Sequence, residues 1–251
     1  MPELNKANRQ VCDVDIRVLK TMLPFLNFDT ANTTTTGLSS DSVYARAKGT
    51  NRIPFQNPLE GTMTIEAQVY PFKFFALLSD GQISTSAAYA DNQTIAATQE
   101  GKLTMTPPDN GEIVAGTVFV YPEDNYGDDS ELIEGSWAEN VFTATTSGDI
   151  AIDKKYTVAY IVNRTSGVKK ISFNNKNLPK DYYITMKTVD KDEEGMLTPF
   201  VITAYKAAIR RNFELSFSSD GDPATVTLTF DLLEDKDGNI LDMIELTDDV
   251  A

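Results

Sequence analysis

The segment Asp235-Lys236-Asp237-Gly238-Asn239 has the spacing at which alternate oxygen-bearing side chains can converge on one calcium ion. A calcium loop of this type needs glycine at its sixth position and glutamate at its twelfth, and this chain places Ile240 and Leu246 there. The segment is therefore expected to be a hairpin turn. Paired carboxylates offer a second chemistry, because glycoside hydrolysis uses two Asp or Glu and no histidine. Asp220 and Asp222 flank Gly221 ahead of Pro223, but short acids in that setting support the turn itself. With 37 acidic residues in the chain, such pairs carry little specificity. Tyr126 and Trp137 could stack on a sugar ring or complete a core.

Other chemistries are excluded by residue type. The chain has no histidine, which removes the usual general base, the commonest metal ligand and every Ser-His or Cys-His pair. A single cysteine, Cys12, can form neither an internal disulfide nor a zinc site of the usual kind. No glycine-rich phosphate loop or dinucleotide fingerprint is present. No catalytic residue, cofactor or metal is expected. The balance of 22 basic against 37 acidic residues, a net charge of −15, opposes tight binding to nucleic acid or anionic lipid.

The 251 residues, 41% hydrophobic, suffice for one large domain or two small ones. No stretch approaches the ~20 apolar residues of a membrane-spanning helix, and the N-terminal residues lack a secretion-signal pattern. Folding in a cytosol is expected, where the sequons at Asn32, Asn92 and Asn163 would have no meaning.

Charge lies in blocks. Leu103 to Asp153 holds eleven acids and no base; Lys154 to Lys191 holds nine bases and two acids; Asp220 to the end holds ten acids and one base, Lys236. Such blocks are solvated faces, or they allow copies of the chain to join head to tail through complementary patches.

The elements that carry these residues read mainly as strands. Met63, Ile65, Ala67 and Val69 alternate with polar partners as a half-buried strand does, and Phe72 to Leu78 after Pro71 predicts a short α-helix packed on a sheet. Phe200 to Tyr205, Phe213 to Phe217 and Thr225 to Leu232 read as strands, with another from Ile240 to Ile244, joined as antiparallel hairpins. Further short strands are expected at 117–121, 141–145, 156–162, 168–173 and 182–189. One domain over 1–251 is expected, with a β-rich middle at 107–189. Residues 29–58 form a polar stretch with few core residues, either a surface loop or an arm.

Two segments together resemble the major tail, or tail tube, proteins of long-tailed bacteriophages. One is Leu59 to Pro71 with the helix to Leu78. The other runs from Thr198 to Ala207, then Phe213 to Ser218, then Gly221 to Leu233 with the Gly238-Asn239 turn. The resemblance implies an antiparallel β-sandwich or barrel-like protomer with a flanking helix and a long assembly arm, forming hexameric rings that stack into a tube. It implies a virion structural protein, assembled in the host cytoplasm, through which DNA passes without tight binding. Its partners would be further copies of itself, the tape measure, the tail terminator and, in a contractile tail, a sheath. Residues 29–58 are the implied arm and the region of Asp220 and Asp222 a ring-face contact, with Thr35, Phe55, Asp220 and Asp222 as interface candidates. The middle segment would be part of the tube wall or an outer insertion. A carbohydrate-binding, adhesin-like β-sandwich is the alternative from a different class.

Overall fold

Met63, Ile65 and Ala67 are buried while Thr62, Thr64 and Glu66, which alternate with them, are not, so the alternation visible in the sequence is the two faces of one strand. The computed structural model describes residues 4–217, 219, 221 and 223–247. Its strands begin with β1 (Lys6–Ala7), β2 (Asp13–Val18), β3 (Pro24–Phe28), β4 (Thr33–Ser39), β5 (Ser42–Ala47), β6 (Thr50–Gln56) and β7 (Glu60–Ala67). Then come β8 (Ala87–Ala96), β9 (Lys102–Thr104), β10 (Gly111–Ile113), β11 (Phe119–Pro122), β12 (Gly135–Ala138), β13 (Val141–Ala144) and β14 (Lys155–Arg164). The last are β15 (Asp181–Asp192), β16 (Leu197–Ile209), β17 (Val226–Leu233) and β18 (Leu241–Glu245). All pairings between them are antiparallel, and the fold is mainly β.

The chain forms two compact units. One combines the residues up to Gln82 with those from Ser172 onward; the other is Ile83–Ile171. In the first, nine strands make one sheet in the order β3-β2-β15-β16-β17-β7-β4, with β1 on β15 and β18 on β16. β17 and β18 lie along the same edge of β16, β17 beside Lys206–Ile209 and β18 beside Phe200–Ala204. Its core gathers Val14, Ile16, Met63, Ile65, Tyr182, Ile184, Leu228 and Phe230. Each such side chain contributes about 1.5–3 kcal/mol on leaving water.

The short helix over Phe72–Leu78 is a 3-10 helix, which corrects the expected α-helix. Its backbone bonds close after three residues, as in Phe74 N–H to the Pro71 carbonyl at 2.9 Å. The tighter turn brings Phe74 and Leu77 over one another on the buried face, where Phe74 meets Phe28 with ring centroids 5.2 Å apart.

Two strand expectations also fail. Residues 213–217 form no strand: β16 covers only Phe230–Leu233 of β17, and after the Arg210 N–H bonds the Thr229 carbonyl at 2.8 Å the chain leaves that edge. Phe213, Glu214 and Ser216 instead line an open groove of about 610 Å³ with Thr225, Thr227 and Thr229. Residues 168–173 make a single bridge, Lys170 to Ser84.

The second unit has its own core of Leu103, Ile113, Val120, Phe142, Ile150, Val158, Tyr160 and Val162. β14 is central in one sheet, with β8 on one edge and β10 and β11 on the other, while β12, β13 and β9 form a second sheet. The strand predicted at 182–189 belongs to the first unit, as part of β15.

Candidate functional site

The stretch 29–58 is regular structure. β4 pairs with β7 from Thr33–Glu66 to Ser39–Glu60, and β5 pairs with β6 immediately beyond, from Ser42–Gln56 to Ala47–Thr50. Across the short break between them, Ser40 Oγ donates to the Asn57 carbonyl at 2.7 Å and the Asn57 N–H to the Asp41 carbonyl at 2.9 Å. The result is one long ribbon whose first half is an edge of the sheet and whose second half is a separate two-stranded sheet. Lys48 and Gly49 form its tip with φ of 54° and 80°, the two positive values that a two-residue type I′ turn requires.

Every residue of β6 and all but Ser42 of β5 are exposed. Cross-strand pairing puts Val43 opposite Phe55 and Ala45 opposite Ile53, so these four share one face. Val43, Ile53 and Phe55 are 58%, 56% and 59% exposed, which makes that face apolar and uncovered. The same residues 42–56 hold Arg46, Lys48 and Arg52 and no acid, in a chain of net charge −15. Pro54 is accommodated because a strand of a two-stranded ribbon has one side free of ladder bonds.

The interface candidates separate as follows. Thr35 is exposed on β4, an end strand of the nine-stranded sheet, in a cross-strand row with Thr64 and Thr229. Phe55 lies further out on the same ribbon. Asp220 and Asp222 lie outside the described residues. Val43 and Ile53 were missed in the sequence; their alternation with Ala45 and Phe55 around Lys48-Gly49 is the signal that finds them.

The acidic turn at 235–239 closes on itself. One carboxylate oxygen of Asp235 accepts the N–H groups of Asp237 and Asn239, both at 2.8 Å, and the Asn239 bond is the main reason its pKa falls below the ordinary carboxylate range. That oxygen supports a turn, as short acids do. Among the described residues, no group of three or more His, Cys, Asp or Glu is disposed to hold a metal ion. Trp137 packs against the core of the second unit, and Tyr126 meets Tyr121 edge-on at 5.6 Å.

One titrating contact ties β18 to the sheet. Tyr205 on β16 donates its hydroxyl to Asp242, and that bond, with lesser help from burial, pushes the tyrosine up to about 12 from an ordinary 10.0. A raised folded-state pKa means that the bond's contribution is full below pH 10.0 and is lost as pH rises through about 12. Urea midpoints measured from pH 9 to 12.5 are expected to fall more steeply for the native chain than for Tyr205→Phe. Parallel profiles would show that this bond does not couple to folding.

These observations define an antiparallel β protein with a nine-stranded sheet, a second compact β unit and a ribbon with an exposed apolar face. The sequence matches the model of the YomU/Tube protein family over residues 9–246, and the chain belongs to that family of phage tube-like proteins. No curated protein matches it.

Proposed function

We propose that this chain is the non-enzymatic subunit of a phage tail tube, assembling into hexameric rings that stack into a conduit for DNA. The observation that carries this reading is the ribbon of β5 and β6, which exposes Val43, Ile53 and Phe55 together on one face. An isolated two-stranded hairpin is marginal in water, and covering its apolar face against a second copy supplies the burial it lacks alone. Its basic side chains suit the acidic surface that a further copy presents. The exposed edge of β4, with Thr35, is a second place where a copy can add a strand.

The remaining roles follow from the same assembly. A lumen through which DNA slides must not hold phosphate, and a net charge of −15 opposes such binding. The tube would contact the tape measure along its length, the terminator at its end and a sheath where the tail contracts. Such a subunit is a component of the virion tail, assembled in the host cytoplasm.

Negative-stain electron microscopy over a concentration series, paired with light scattering, tests the proposal. Hollow rings or tubes of uniform diameter are expected as concentration rises. Compact monomers or trimers at every concentration, including after seeding with tail tips, would overturn it.

A further inference from the structure

The second unit carries a surface that the tube reading does not use. On the sheet centred on β14, Tyr156, Val158, Tyr160 and Val162 point into the core, so Thr157, Ala159, Ile161 and Asn163 point the other way. Register places Phe119 beside Ala159 and Tyr121 beside Thr157 on one flank, and Asn92 beside Ala159 and Thr94 beside Thr157 on the other. The outward face is thus two aromatic rings, a floor of small or aliphatic side chains, and a row of amides and hydroxyls.

Three properties restrict what can sit there. Phe119 is 47% exposed although it is a large apolar residue on a regular strand, and Tyr126 extends the aromatic flank by its contact with Tyr121. The unit contains thirteen acids and six bases, yet none stands on the middle of this face. Charged groups occur only at its ends, Glu112 beside Asn163 at one and the Lys155–Glu123 pair, 3.5 Å apart, at the other. The face is also small: three strands ~4.8 Å apart and seven residues at ~3.4 Å each give about 300 Å². A stable protein partner needs about 800 Å² from each side.

We infer that this face binds a neutral carbohydrate chain. A second copy is disfavoured by the area. Nucleic acid and anionic lipid are disfavoured because the face has no cation in its middle to meet them. An uncharged saccharide matches what remains, since its C–H faces pack on aromatic rings and its hydroxyls exchange hydrogen bonds with amides that can both donate and accept. The hydroxyl of Thr94, exposed on β8, lies 3.2 Å from that of Thr157, which is buried, so Thr94 is the member of this pair that can still donate or accept toward a ligand. The inference stands independently of tube assembly and assigns this unit a second task, contact with a glycan.

The test is amide NMR of the full chain, held below its assembly concentration, titrated with cellohexaose, chitohexaose and maltohexaose. At least one saccharide is expected to shift resonances of β8, β11 and β14 with a dissociation constant of about 0.1–5 mM. Phe119→Ala is expected to weaken binding at least about tenfold, a loss of ~1.4 kcal/mol. Phe119→Leu keeps the apolar bulk but removes the ring, and is expected to weaken binding as well. Absence of shifts for all three saccharides at about 10 mM, or shifts confined to another surface, would overturn the assignment. So would an affinity unchanged in both variants. Assembly seen by microscopy is expected to be normal in these variants, so loss of glycan binding and loss of tube formation are separable results.

Discussion

Replacing Ile53 and Phe55 together by aspartate is expected to abolish polymerisation while leaving the subunit folded. Both side chains are more than half exposed and meet Ala45 and Val43 across the ribbon, outside either core. Their loss in the isolated subunit should therefore change stability by no more than about 0.5 kcal/mol. In an assembly the same two positions become buried, and an unpaired buried charge costs about 3–5 kcal/mol. At ~1.4 kcal/mol for each factor of ten, the critical concentration should rise at least about a hundredfold. Gln56→Asp serves as the control, because Gln56 pairs with Ser42 and belongs to the other face of the ribbon. Sedimentation and electron microscopy of both variants read the result. Tubes forming from the double variant at the native concentration would remove the ribbon from the assembly mechanism.

The two faces of β7 and β17 were legible in the sequence because each strand has one buried and one wet side, which writes burial directly into the alternation of Met63 and Ile65, or of Leu228 and Phe230. The ribbon was not legible in the same way. Its apolar residues alternate too, but a register shift at Ala45–Arg46, the Lys48-Gly49 turn and Pro54 interrupt the pattern, and no core claims either face. Threonine and glycine around it then read as loop. Phe213, Leu215 and Phe217 show the opposite error. Their alternation is regular, but a strand also needs ladder bonds to a neighbour, and the chain leaves the edge of β17 after the Arg210 N–H to Thr229 carbonyl bond. Whether a segment stays bonded to a neighbouring edge is settled by tertiary context, which local pattern does not encode.

The helix and the carbohydrate face illustrate the same limit at a finer scale. Pro71 and the apolar run to Leu78 correctly mark a helix, while the choice of 3-10 over α depends on how Phe74 and Leu77 meet the core. Tyr126 was visible as a stacking aromatic, but its significance comes from Tyr121 and Phe119 on a strand whose outward face only the pairing with β14 defines. Sequence showed which groups could do chemistry; register showed which of them share a face.

Gly135→Ala should be the most damaging single-atom-scale change in the second unit. A Cβ at this position would stand 2.3 Å from Phe142 Cζ and 2.4 Å from the Thr143 carbonyl oxygen, closer than non-bonded atoms allow. Phe142 is buried in the core of Ile83–Ile171, and the Thr143 carbonyl belongs to β13, whose Ala144 pairs with Gly135 on β12. Relief requires either the ring to leave the core or β12 to leave β13, and neither is cheap. Strain with partial loss of packing corresponds to about 2–4 kcal/mol, near the upper end for one substitution. In a unit of this size that is a fall of roughly 10–20 °C in its transition. Trp137, the chain's one tryptophan, lies on β12 and packs against this core, so its fluorescence follows the second unit alone. Calorimetry should then show an early transition that coincides with the Trp137 signal, while the unit built on β15 and β16 melts at its native temperature. The two cores share no residue. A single unshifted transition would mean that the clash is absorbed, and a single lowered one that the two units unfold as one.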